Sequence, residues 1–255
     1  FAFKSVLWKD WQAEMDVDFA EAVLDLRDMW VQYTIPDVNL SFRAGNFKEP
    51  FGMERLNSSR LLTFLERSSV ANAIPLGRRM GIAARYWTDY GQATIGAFGH
   101  EGGTKIDKGT MDEGYSTNLR VSVAPVNEHG KNLHFGAAAS YKTPDAVPDM
   151  APNAIEIKAR TETYVFDPKL LHTGDIDAVN YYNRLGGEFM GIYGPFYLQA
   201  EYMATQVKRW YGKPTVNVNG AYVTASWMLT GETRYYYADE GEVGPMESPK
   251  NSWGS

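Results

Sequence analysis

The chain has no cysteine, four histidines and no long apolar run. Without cysteine there is neither a disulfide framework nor a thiolate metal site. No stretch approaches the roughly eighteen consecutive apolar residues of a membrane helix, so a helical membrane protein is excluded. The 25 Lys and Arg residues are outnumbered by 31 Asp and Glu residues, for a net charge of −6. This balance excludes recognition of nucleic acid by a basic surface.

Catalytic motifs are also scarce. His100, His129 and His172 lie in or beside predicted turns and loops, where a solvated side chain is the simplest interpretation. No Gly-rich phosphate loop opens a helix, and no set of residues has the spacing of metal ligands. The sequence therefore predicts no enzyme, no catalytic residue, no metal and no cofactor.

What the chain has instead is aromatic residues, 14 % of the total, and alternation of apolar with polar positions. Between residues 11 and 19 the odd positions are Trp11, Ala13, Met15, Val17 and Phe19, and the even positions are polar. This period of two predicts a strand. The same pattern recurs at 40–45, 81–86, 92–97, 118–123, 133–141, 178–192, 196–202 and 221–230. We count about ten such strands in all.

Two all-β folds fit this pattern, a transmembrane antiparallel β-barrel and a soluble β-sandwich. Arg and Glu in the middle of strands favour the barrel, because a small soluble barrel fills its interior with apolar side chains. Short turns at 89–91, 126–131 and 193–195 alternate with long connections at 45–79, 100–114, 142–175 and 207–218. That arrangement, with aromatic residues at strand ends, is typical of outer-membrane barrels. We predict one barrel domain over residues 1–255, cut at both ends, with its remaining strands supplied by the missing parts.

The connection over residues 45–79 is unusually long for a compact domain and tends to be functional for that reason. It mixes aromatic with basic residues, and the strands around it would give it a lumen to occupy. Further arginines lie on the polar faces of separate strands. The candidate pore-lining, anion-guiding residues are Arg43, Lys48, Arg55, Arg60, Arg67, Arg78, Arg79, Arg85, Arg120 and Arg184.

Two interpretations of these basic residues stay open. Rings of Arg or Lys select anions in pores, and arginine binds phosphate with a planar, bidentate fork. Alternatively each arginine pairs with a lumen carboxylate such as Glu14, Asp16 or Glu188 and forms a neutral wall network. Glu49, Glu54 and Glu66 offer the same pairing within the long connection.

Three segments carry a family resemblance: FKEPFGME at 47–54, TFLER at 63–67 and GRRMG at 77–81. A fourth, LTGETR at 229–234, lies near the end of a late strand. Together they resemble the phosphate-selective porin O and P family, and the likeness covers essentially the whole chain. It implies an outer-membrane barrel of roughly sixteen strands in a Gram-negative bacterium, about ten of them present here. It also implies a homotrimer surrounded by lipid, with the 45–79 loop folded into the lumen as a constriction.

The function that these expectations favour is a passive diffusion channel for small solutes, with anions and phosphate preferred. The alternative is a barrel that serves as a scaffold in a surface complex and binds protein or glycan through long loops such as 142–175.

Overall fold

The computed structural model describes residues 2–18, 25–99, 114–144, 153–159 and 171–249, together with Glu162 and Lys169. The described chain is all-β, with short helices only. The first eight strands are β1 (Ala2–Leu7), β2 (Trp11–Asp18), β3 (Asp25–Ile35), β4 (Leu40–Lys48), β5 (Arg78–Thr88), β6 (Gly91–Phe98), β7 (Ser116–Glu128) and β8 (Lys131–Lys142). The other seven are β9 (Ile155–Ala159), β10 (Leu171–Ile176), β11 (Val179–Tyr193), β12 (Phe196–Arg209), β13 (Val216–Trp227), β14 (Arg234–Tyr237) and β15 (Glu242–Met246).

Eleven strands form one large antiparallel sheet in the order β1-β2-β3-β4-β5-β6-β7-β8-β11-β12-β13. Strands β9 and β10 pair with each other, as do β14 and β15. Tight turns connect β7 to β8 and β11 to β12, where Gly130 and Gly194 adopt φ values of +70° and +53°. Glycine suits these positions because it has no Cβ to clash in the left-handed region. The all-β, antiparallel prediction is confirmed.

The large sheet buries its polar face and exposes its apolar face, which is the reverse of the arrangement in a soluble protein. On β7, Leu119, Val121 and Val123 are about half exposed, whereas Arg120 and Ser122 are each 2 % exposed. Other parts of the chain cover the polar face, whereas the apolar face is exposed. Such an apolar outer face, alternating with a polar interior along each strand, is typical of a barrel wall that faces lipid.

The strand predictions were incomplete in two respects. Strands β1, β3, β9, β10, β14 and β15 were not predicted, and the predicted long connection over 207–218 was wrong. Strands β12 and β13 remain paired as far as Val207 and Val216, and only residues 210–215 connect them. The extension has a physical cause: Val207 is fully buried in an apolar cluster against which Val216 and Val218 pack. The predicted connection at 100–114 lies outside the described residues except for Gly114. The one at 142–175 is described in part and contains strand β9 and most of β10.

The space over the polar face holds two further pieces of the chain. One is residues 49–77, which contain the helices α1 (Met53–Leu56) and α2 (Ser69–Ala73) and a 3-10 turn at Ser59–Leu61; we call it the lumen loop. The other is the hairpin of β14 and β15, residues 234–246, which we call the lumen hairpin. In the described part of the chain, no helix is both long and apolar enough to cross a membrane.

Candidate functional site

The lumen loop begins at a buried ion pair. The Glu49 carboxylate accepts hydrogen bonds from Nη2 of Arg184 at 2.6 Å and from Oγ of Ser116 at 2.7 Å. Nε of Arg79 lies 3.7 Å from the same carboxylate. The Arg184 guanidinium also lies over the ring of Phe51, 5.2 Å from its centroid. These contacts tie the start of the loop to strands β5, β7 and β11.

A second carboxylate holds the first helix of the loop. Glu201 on β12 accepts hydrogen bonds from the main-chain N–H groups of Met53 at 2.9 Å and of Glu54 at 2.8 Å. These donors have no partner within the first turn of a helix, so a carboxylate placed there satisfies them. The hydroxyl of Tyr222 and the amide of Gln199 also donate to Glu201. The helix is therefore fixed to the wall by charge-assisted hydrogen bonds.

Gly52 makes this approach possible, and Gly52→Ala is expected to disturb it. Its φ is +78°, and a Cβ there would lie 2.7 Å from Cε of Met203 and 3.3 Å from Oε2 of Glu201. We expect the substitution to destabilise the folded barrel by roughly 1–3 kcal/mol, the usual cost of such backbone strain. Gly187→Ala is the control, since nothing lies within 4 Å of a Cβ there. Equal urea midpoints for the two variants in detergent would contradict the prediction.

The rest of the loop is held by packing and by its own polar contacts. Phe51 and Ile74 pack against Met203 in a buried cluster. Ser68 caps α2 by accepting a hydrogen bond from the N–H of Ala71 at 3.2 Å, and it donates to the Glu54 carboxylate at 2.7 Å. Burial raises the pKa of Glu54, and its bonds to Ser68 oppose that shift. The loop is thus a packed element of the lumen.

The lumen hairpin is anchored chiefly by Arg120. Nε and Nη2 of Arg120 donate to the Glu188 carboxylate at 2.9 and 2.7 Å. The same guanidinium donates to the main-chain oxygens of Glu240 at 3.1 Å and of Gly241 at 2.7 Å. His134, which contacts Glu188 at 3.3 Å, is hydrogen-bonded to the Tyr236 hydroxyl at 2.6 Å. One buried network therefore joins strands β7, β8 and β11 to the hairpin.

A charged cavity of about 1480 Å³ remains between the lumen elements and strands β1 to β5. Among the described residues, nine basic ones line it: Lys4, Arg27, Arg43, Lys48, Arg55, Arg60, Arg67, Arg78 and Arg85. Six acidic ones of the same described set line it: Glu14, Asp16, Asp18, Asp28, Glu240 and Glu242. The lining therefore has a surplus of three positive charges, although the chain as a whole carries −6. We call this cavity the passage.

The structure divides the ten predicted basic residues into two groups. Seven line the passage: Arg43, Lys48, Arg55, Arg60, Arg67, Arg78 and Arg85. The other three, Arg79, Arg120 and Arg184, are buried and contact the carboxylates of Glu49 or Glu188. Carboxylates of the lining also pair with passage residues: Arg78 lies 2.5 Å from Asp28 and Arg85 lies 3.7 Å from Glu240. Lys4 and Arg27 pair in the same way with Glu14 and Asp18.

Arg43 and Lys48 have different surroundings. The Arg43 guanidinium donates to the amide oxygen of Gln32 at 2.8 and 3.0 Å and lies over the Trp30 ring, 4.0 Å from its centroid. The Lys48 ammonium donates to the main-chain oxygens of Leu56 at 2.6 Å and Asn57 at 3.2 Å. Within the described residues neither makes an ion pair, and both line the passage.

Sequence reasoning missed the acidic residues of the lumen hairpin. Glu240 and Glu242 lie beyond the last predicted strand, and nothing in their spacing indicates that they return to the lumen. The LTGETR segment directly before the hairpin was the available signal. This segment carries a family resemblance, but its sequence does not indicate that the following residues lie on the inner side of the wall.

An antiparallel sheet with an apolar outer face, and with a charged passage over its polar face, is the wall of a porin-type transmembrane β-barrel. Comparison with known families narrows this class further: the phosphate-selective porin O and P model matches residues 3–254, and the chain belongs to that family. Porin O of Pseudomonas aeruginosa is similar to this chain at 25 % identity. The match covers 96 % of the chain, which spans 59 % of the relative's length.

Proposed function

We propose that the chain forms the wall and the constriction of a passive diffusion channel for small anions, phosphate among them. The observation that carries the proposal is the positive surplus of the passage in a chain that is negative overall. Charged side chains that line a pore set its selectivity, and basic ones favour anions. Family membership supports a channel over an enzyme.

Arg43 and Lys48 are the residues best placed to act on a passing anion. Among the described residues no carboxylate lies within ion-pair distance of either side chain, and both line the passage that a solute would enter. Arginine presents a planar fork of donors that matches an oxyanion, and lysine presents a compact charge. Arg55, Arg60 and Arg67 would add to this field from the lumen loop.

The proposal also includes the surroundings of the channel. The apolar outer face supports insertion into outer-membrane lipid, and family membership supports the outer membrane of a Gram-negative bacterium as the location. The resemblance of the motifs further favours a homotrimer. Cross-linking in native membranes would test the assembly.

We expect Arg43→Ala and Lys48→Ala each to lower the anion-to-cation permeability ratio by roughly threefold, the effect of one unit charge about 6 Å away in water. The double variant should lose more, because the two charges lie at separate points of the passage. Reversal potentials across planar bilayers in a KCl gradient measure the ratio.

Lys208→Ala is the matched control for charge. Lys208 bonds to Thr215 near the end of β12 and does not line the passage. Its loss should leave the ratio unchanged. Cation preference in the unmodified channel would overturn the proposed function.

A further inference from the structure

The lumen hairpin brings two carboxylates into a passage that is otherwise mostly basic. Glu240 and Glu242 both line it. Nη1 of Arg85 lies 3.7 Å from Oε1 of Glu240, whose side chain is 44 % exposed. That distance is too long for a direct hydrogen bond. A loose, solvated pair of this kind contributes little energy and is easily exchanged for another partner.

The position of the hairpin does not depend on these two carboxylates. Arg120 holds the main-chain oxygens of Glu240 and Gly241. The N–H of Val243 donates to Oδ1 of Asn57 at 3.1 Å, and the Val243 side chain is buried against Met53 and Met190. Removing either negative charge therefore leaves the backbone anchors of the hairpin intact.

The charged groups that act on Glu242 come from several elements. Burial raises the pKa of Glu242, and the neighbouring Glu240 raises it further. Arg120 on β7, Lys48 on β4 and Arg85 on β5 act in the opposite direction. Glu242 is thus within electrostatic reach of Lys48, which has no ion-pair partner among the described residues.

We propose that Glu240 and Glu242 are tethered counter-ions of the passage: a permeating anion must displace Glu240 from Arg85, and Glu242 weakens the positive field that the anion meets near Lys48. The inference rests on the proposed function and adds specificity-determining residues to it. Conduction requires that an ion bind well enough to enter and weakly enough to leave. A tethered carboxylate serves the second requirement, because it competes for the same cations once the solute begins to move on.

The competition also favours one class of solute. A divalent oxyanion such as hydrogen phosphate interacts more strongly with paired cations than chloride does, since Coulomb energy scales with charge. It therefore displaces a tethered carboxylate more readily. The solute class that fits the passage is a small anion of more than one negative charge.

Glu240→Gln, Glu242→Gln and the double variant test the proposal, with inorganic phosphate and chloride as the probes. Each single change should raise the chloride-to-potassium permeability ratio by roughly threefold, and the double change should raise it further. Phosphate permeation should rise by a larger factor than chloride permeation, because the Coulomb energy of a divalent anion changes twice as much when one fixed charge is removed. The gain should also fade in about 1 M salt, where the Debye length is about 3 Å.

Glu247→Gln is the matched control. Glu247 follows the hairpin, bonds to His129 and to the N–H of Thr233, and does not line the passage. Glu247→Gln should leave the chloride-to-potassium permeability ratio unchanged. An equal shift in this control would show a general field effect and overturn the proposal. A rise in conductance that persists at high salt would indicate a displaced hairpin and would also overturn it.

Acidification gives an independent readout. Because the pKa of Glu242 is raised, its charge should be lost above the ordinary range of a glutamate as pH falls. The anion preference should therefore increase in that pH window in the unmodified channel, and Glu242→Gln should reduce this increase. The proposed function and this inference fail separately. A cation-selective unmodified channel overturns the former, whereas anion selectivity that is insensitive to both carboxylates overturns only the latter.

Discussion

Glu188→Ala is expected to destabilise the folded barrel by about 3–5 kcal/mol, the usual cost of leaving a buried charge without its partner. The side chains of Arg120 and Glu188 are 2 % and 1 % exposed. Removal of the Glu188 carboxylate leaves the buried Arg120 guanidinium without its ion-pair partner. It also removes the contact between Glu188 and His134. The fraction that keeps folded mobility on gels after incubation at increasing urea concentration measures the loss.

Two further variants test whether burial of the ion pair causes this loss of stability. Glu14→Ala removes the partner of Lys4, whose side chain is 72 % exposed, and should cost at most about 1 kcal/mol. The double variant Arg120→Met with Glu188→Leu removes both charges and should recover part of the stability lost in Glu188→Ala. A Glu188→Ala barrel as stable as the Glu14→Ala barrel would contradict the burial of the pair.

Glu201→Ala is expected to release the first helix of the lumen loop and widen the channel. Two main-chain donors, of Met53 and Glu54, lose a charged acceptor, at a cost of about 1.5–3 kcal/mol for each bond. Single-channel conductance in KCl should rise, and anion preference should fall as Arg55 and Arg60 move with the loop. Both quantities come from the same bilayer recording.

Glu201→Gln is the informative comparison for this position. The glutamine keeps one carbonyl oxygen as an acceptor and has nearly the same volume, so its conductance should lie between those of the unmodified and alanine channels. If Glu201→Ala has the unmodified conductance, the contacts of Phe51 and Ile74 with the wall suffice to hold the loop.

The arginines illustrate which features of the site could be predicted from the sequence. Alternation correctly placed Arg43, Arg85, Arg120 and Arg184 on one face of the sheet. It could not distinguish buried from open residues, because the deciding partners are distant in the chain. Glu49 is 135 residues from Arg184, and Glu188 is 68 residues from Arg120. Only the assembled fold shows which carboxylate lies opposite each guanidinium.

The strands show the same limit at a different scale. Long strands with apolar and polar faces, such as β7 and β8, were predictable because a period of two is local information. Strand β14 is short and rich in aromatic residues. Within the described chain it does not join the large sheet; it pairs with β15 and lies in the lumen. Periodicity describes the two faces of a strand and does not say which sheet the strand joins.

The lumen loop and the lumen hairpin are both anchored mainly to strands β7 to β12, which leaves the passage beside β1 to β5. The wall is therefore divided between residues that maintain the architecture and residues that meet the solute. Substitutions at Arg43 can accumulate without breaking an ion pair of the described chain or a hydrogen bond to the lumen loop. Related channels built on this plan can thus acquire new solute preferences through a few neutral steps, while the anchored half remains under strict constraint.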